Sequence, residues 1–200
     1  MTWKFVAGNL SLEFINTVGG RIIDNSGQQK ILNDKLVSFD SLIDWACSIN
    51  VISQSHRKKI ITETSEIDAS NFFKKAIELR EMLYRIFHHI IISKSPDQMD
   101  LLAFSQELSN LYSNTQIKYR SNSFELDLGL QSSPEFILYS IILSAREVLF
   151  SAKLDRVKEC PGDNCGWLFL DTSRNGKRTW CDMKDCGNLA KVRRYRARQK

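Results

Sequence analysis

Proline appears three times and glycine nine times among 200 residues, which rules out a collagenous chain and argues against broad disorder. Histidine is equally rare, at three. His88 and His89 are adjacent without a further ligand at helical spacing, and His56 sits in a Ser/Arg/Lys stretch, so no histidine metal site is expected. The opening residues contain no basic segment followed by a long apolar run, so no secretory signal is expected. The most apolar stretch, Phe136 to Ala145, is far too short to span a bilayer. No carboxylate pair, activated nucleophile or glycine-rich phosphate loop stands out, and the chain reads as a non-enzyme. The expected address is the cytoplasm, with no membrane partner.

The remaining composition is that of an ordinary globular chain, with 42% apolar and 26% charged residues. Two hundred residues suffice for one or two domains with a real core. The net charge of +5 is unevenly placed. Residues 153–200 hold 13 Lys+Arg against 6 Asp+Glu, whereas the first 152 hold 15 against 17. A concentration of one sign informs about partners rather than fold.

Hydrophobic periodicity predicts a mainly α chain with a small β-hairpin. A short helix is expected over Leu10 to Val18, followed by an exposed polar loop from Gly19 to about Asp34. Ser38 is a good cap for a helix bearing Phe39, Leu42, Ile43, Ala46 and Ile49, and Ser53 for a second through about Glu66. Cys47 lies on the apolar face of the first and reads as an ordinary buried residue. A long helix is expected from Asn71 to Ser93, another after Ser95-Pro96, and a last one from about Pro134 to Leu154. Between them, Gln116 to Leu130 alternates as a hairpin around Ser121 to Ser123.

Four of the five cysteines form two matched pairs, Cys160/Cys165 and Cys181/Cys186. Each is C-x₄-C, with fifteen residues between the pairs. In a reducing compartment this spacing favours one structural zinc ion in a closed tetrathiolate site over two disulfides or free thiols. Trp167 to Asp171 alternates like a strand, with Arg178 to Trp180 as its expected partner across an Asn175-Gly176 turn. Knuckle, hairpin, second pair and helix follow in treble-clef order. Trp167 and Trp180 are expected to pack the small core of that finger rather than stack bases.

Behind the last cysteine, Lys191, Arg193, Arg194, Arg196, Arg198 and Lys200 crowd a ten-residue segment without one acid. Leu189, Val192 and Tyr195 would form a narrow apolar stripe docking it. Together with Arg174, Lys177 and Arg178 these cations suit a polyanion, since arginine forks match phosphate. A solvated, fraying tail is the plainer reading of the same residues.

The stretch Phe169, Asp171, Ser173, Arg174, Asn175, followed by Arg178, Trp180, Cys181, Met183, Cys186, Gly187 and Asn188, resembles the CGNR zinc-finger family. Leu189 stands where that signature has its final arginine. In that family the finger follows a helical ABATE domain, and its bacterial members are described as stress-induced transcriptional regulators. Leu12 to Thr17 resembles the element that opens ABATE domains, and Leu79-Arg80 a pair on their central helix. The resemblance implies residues 1–154 as an ABATE-like helical domain and 155–200 as the finger with its basic helix.

The expected protein is therefore a DNA-binding regulator, with RNA binding or a structural zinc module for protein contacts as alternatives. A second copy of the chain and a small-molecule effector are further expected partners. Asn16, Thr17 and Arg80 are candidates for the effector pocket, although satisfying buried backbone is the commoner role of such residues. Arg80 is expected to pair with a carboxylate such as Glu13.

Overall fold

The computed structural model describes residues 2–23, 29–128 and 132–199, which form seven α-helices and three two-stranded antiparallel sheets. Helix α1 (Leu10–Ile15) is capped by Asn9, whose side chain accepts from Ser11 and Leu12 N–H. Strands β1 (Val18–Ile23) and β2 (Gln29–Asp34) follow as a pair. Ser38 caps α2 (Phe39–Ser48) with a reciprocal box through Ser41, and Ser53 caps α3 (Gln54–Glu63). Helix α4 (Glu66–Ile91) runs for 26 residues, about 39 Å. It is followed by α5 (Gln98–Ser113), the hairpin of β3 (Gln116–Arg120) and β4 (Ser123–Asp127), and α6 (Glu135–Leu149).

Helix α1 lies at the centre, packed against α6 and α4, with α2 and α5 closing around α4. Leu12, Phe14 and Ile15 are fully buried there, among Leu42, Ile43, Leu83, Phe87, Ile137 and Ile141. Each such side chain stabilises the fold by roughly 1.5–3 kcal/mol. No helix among the described residues is long and apolar enough to cross a membrane.

Three expectations are corrected. Helix α4 starts five residues earlier than Asn71, because Ser65 caps it by accepting from Asp68 N–H. Helix α6 stops at Leu149, short of Leu154, and the chain continues through a 3₁₀ turn at Leu154–Arg156. The largest change is at Gly19 to Asp34, where the described residues form β1 and β2 in place of an exposed loop; residues 24–28 lie outside the described set, as does Leu130 of the second hairpin.

A buried ion network fastens β1 and β2 to α4. The Arg80 side chain, wholly buried, donates from Nη1 and Nη2 to the two Asp34 oxygens at 2.8 and 2.6 Å, and from Nε to Glu81 at 2.8 Å. Arg21 grips Glu81 with both Nη atoms, at 2.6 and 3.0 Å, and lies 4.0 Å over the Tyr84 ring. Burial alone would raise Glu81, yet hydrogen bonds and charge from Arg21 and Arg80 hold it below its ordinary range. Arg80 therefore pairs with Asp34, not with Glu13. The Glu13 carboxylate turns the other way and accepts the backbone N–H groups of Val6, Ala7 and Gly8.

Candidate metal centre and basic helix

Strands β5 (Val157–Glu159) and β6 (Leu168–Leu170) pair with each other and carry the first cysteine pair between them. The expected partner of β6, Arg178 to Trp180, is not a strand; Ser173 to Gly176 forms a turn instead, closed by Gly176 N–H to Ser173 C=O at 3.1 Å. Cys181 precedes, and Cys186 lies within, a π-helical turn (Met183–Gly187) that leads directly into α7 (Asn188–Ala197). Asp182 caps that turn by accepting from Lys184 N–H, and Lys4 bridges Asp182 and Asp185.

The four sulfurs converge. Cys160, Cys165, Cys181 and Cys186 place their Sγ atoms within 4.8 Å of one another. The Cys165–Cys181 and Cys181–Cys186 separations are 3.6 Å each, far beyond a disulfide bond. Four thiolates around a tetrahedral zinc at about 2.3 Å require sulfur–sulfur distances of about 3.8 Å. The cluster is thus shaped to hold one zinc ion.

Hydrogen bonds from Cys165 and Cys181 hold Cys160 well below the ordinary thiol range, while the same contacts push Cys181 up. Gly162 is required by space, since a Cβ there would lie 2.8 Å from the Cys186 sulfur.

The site is joined to the N-terminal part of the chain at several points. Asn16 accepts Leu168 N–H at 3.0 Å and donates Nδ2 to Leu168 C=O at 2.7 Å, acting as a surrogate strand beside β6. Leu170 N–H reaches Ala7 C=O at 2.8 Å, and the Trp167 indole N–H reaches Val18 C=O at 2.8 Å. Arg21 N–H bonds Cys165 C=O at 3.0 Å. Gly20 lies so close to the knuckle that a Cβ would fall 1.8 Å from Asn164 C=O. Finally, Arg178 Nη2 reaches Val6 C=O at 2.7 Å.

These contacts decide where the expected site residues stand. Asn16, Thr17 and Arg80 are all buried and bonded to protein groups; Thr17 donates to Phe14 C=O and accepts from Arg80. Arg178 faces inward, against the expectation that it joins the cationic surface. Its guanidinium donates to Trp180 and Cys181 carbonyls as well as Val6, and stacks 4.4 Å over Phe169. Trp167 is buried and Trp180 packs against the core. Arg174, Lys177, Lys191, Arg194, Arg196 and Arg198 are exposed, and none has a side-chain partner among the described residues. Arg193 is also exposed but pairs with Asp163. Lys200 lies outside the described residues.

Helix α7 has no buried residue. Leu189, Val192 and Tyr195 do not dock it but remain 57%, 46% and 63% exposed. Among the described residues the helix is held at its root, by the π-turn that carries Cys186, and by the Arg193–Asp163 pair.

Sequence reasoning placed Asp171 in the motif but gave it no role. The Asp171 carboxylate, fully buried, accepts from Lys158 Nζ at 2.7 Å, Ser173 N–H and Oγ, and Arg178 N–H. The Lys158 and Ser173 bonds hold it well below the usual carboxylate range. Lys158 also donates to Gly176 and Arg178 carbonyls. Asp171 and Ser173 in the motif are therefore loop clamps, a role their two-residue spacing could have suggested.

Residues 156–199 match the family model of the CGNR zinc finger. The match covers all four cysteines, the clamped loop and α7. No curated protein matches the chain.

Proposed function

We propose that the protein binds nucleic acid through the free face of α7, with duplex DNA preferred to RNA, and serves as a transcriptional regulator. The observation carrying this reading is the set of cations, unpartnered among the described residues, on a helix with no buried residue. Lys191, Arg194, Arg196 and Arg198 project from it, and Arg174 and Lys177 extend from the clamped loop. A helix about 10–12 Å across fits the major groove of B-form DNA, whereas the deep, narrow major groove of A-form RNA excludes it. A zinc ion in the tetrathiolate site would fix the angle of α7 by holding Cys186 at its root. The N-terminal helices, resembling an ABATE domain, would then act as a sensor or dimerisation body.

The test is fluorescence anisotropy with labelled duplex DNA, duplex RNA and single strands across a salt series. Four to six phosphate contacts give a slope of log K against log salt of about −4 to −5, and Arg194→Ala with Arg196→Ala flattens it by about 2. Unchanged affinity in that double variant refutes the assignment. The exposed Leu189, Val192 and Tyr195 favour one rival, a protein-binding module. That rival predicts no salt-sensitive binding to any nucleic acid and an acidic protein partner.

A further inference from the structure

The hairpin of β3 and β4 carries an apolar face that no described residue covers. Ile117 pairs across the strands with Leu126, and Tyr119 with Phe124, so the four side chains share one side of the sheet. Their exposures are 74%, 47%, 60% and 79% respectively. The two rings stand 5.0 Å apart, and the Tyr119 hydroxyl donates to the Asn122 side chain at 2.7 Å. Ser121 and Asn122 both take positive φ, the two-residue turn that matches strand twist. The face is therefore well formed, and only its base is anchored, through buried Leu111 and Leu128. A two-stranded sheet alone is marginal in water and needs an apolar partner.

We propose that two copies of the chain associate here, hairpin face against hairpin face about a two-fold axis. Charge and area select a second copy as the occupant. On the opposite side of the sheet, Lys118 and Arg120 balance Glu125 and Asp127, with Lys118 bonded to Asp127. The hairpin thus presents no net field that would choose a charged partner or repel its own copy. The apolar stripe on α7 differs in this respect, because its surrounding cations oppose self-association.

Scaling side-chain areas of about 150–250 Å² for an aromatic ring by the exposures leaves roughly 450–500 Å² of apolar surface per copy. An isologous pair would bury at most roughly 900–1,000 Å², at the threshold where specific interfaces begin. The result is a dimer that dissociates on dilution. This inference does not depend on nucleic-acid binding.

Sedimentation velocity of the full-length, zinc-loaded protein from about 1 to 100 µM tests it. The wild type is expected to shift from monomer to dimer across that range. Phe124→Glu is expected to raise the dissociation constant about tenfold or more, with circular dichroism and zinc content unchanged. Should that variant misfold, Ile117→Thr with Phe124→Thr keeps strand propensity while removing apolar surface, and predicts the same loss. A wild type that stays monomeric throughout overturns the proposal and leaves the face to a different protein. A Phe124→Glu protein that dimerises like the wild type overturns it by placing the contact elsewhere. Added salt separates this interface from polyanion binding: apolar association is unchanged or strengthened, whereas phosphate contacts weaken.

Discussion

Replacing Asn16 by alanine should detach the zinc-binding region from the helical body. Asn16 is 5% exposed and satisfies both the N–H and the C=O of Leu168, whose side chain is fully buried. Removing the amide leaves two buried backbone groups without partners, at about 1–3 kcal/mol each. The expected loss is roughly 2–6 kcal/mol, a large share of the 5–15 kcal/mol that typically holds a domain together. In a chain of this size it corresponds to a fall in melting temperature of roughly 5–15 °C. Urea denaturation would give the free energy, and the rate of zinc capture by a chromogenic chelator would show whether the finger loosens. Asn16→Asp is the sharper control. It keeps an acceptor for Leu168 N–H but sets a second acceptor against Leu168 C=O, so it should be destabilised at least as much. A loss within about 0.5 kcal/mol for Asn16→Ala, with zinc capture unaltered, refutes the reasoning. In that case a change in small-molecule binding would support the effector-pocket role instead.

Arg80→Met should cost about 1–3 kcal/mol in chemical denaturation, because it removes the guanidinium bonds to a part-exposed Asp34 and breaks the link between β2 and α4. A cost below about 1 kcal/mol would show that the network contributes little. Cys181→Ser should abolish stoichiometric zinc in elemental analysis of purified protein and loosen α7; full zinc retention would sink the four-sulfur site. Asp171 has a folded pKa below its unfolded value, so its stabilisation is complete above about pH 4 and fades as pH falls further. Melting temperatures of wild type and Asp171→Asn should therefore differ at pH 7 and converge on acidification; a gap that widens at low pH would contradict this.

Local signals were readable. Ser38 and Ser53 announced α2 and α3, and cysteine spacing announced a tetrathiolate site, because capping and knuckle turns involve residues close in sequence. Long-range pairing was not. Gly19 and Gly20 conceal a strand, since their missing side chains give no alternation; Gly20 must be small to let Asn164 approach. The partner of β6 was expected eight to twelve residues downstream, yet it is β5 on one side and a single amide, Asn16, on the other. Arg178 looked like a surface cation because nothing nearby in sequence reveals that Val6 C=O waits for it.

Asn16 and Leu168 meet across 152 positions of chain, and that distance has a consequence for biosynthesis. At roughly 5–20 residues per second, α1 leaves the ribosome some 8–30 s before the segment that completes it. Until α4, α6 and finally β6 have followed, the central helix offers uncovered apolar surface to chaperones and proteases. Closure of this core therefore has to wait until Leu168 has been made, and a nascent chain halted before residue 168 should be a ready substrate for degradation.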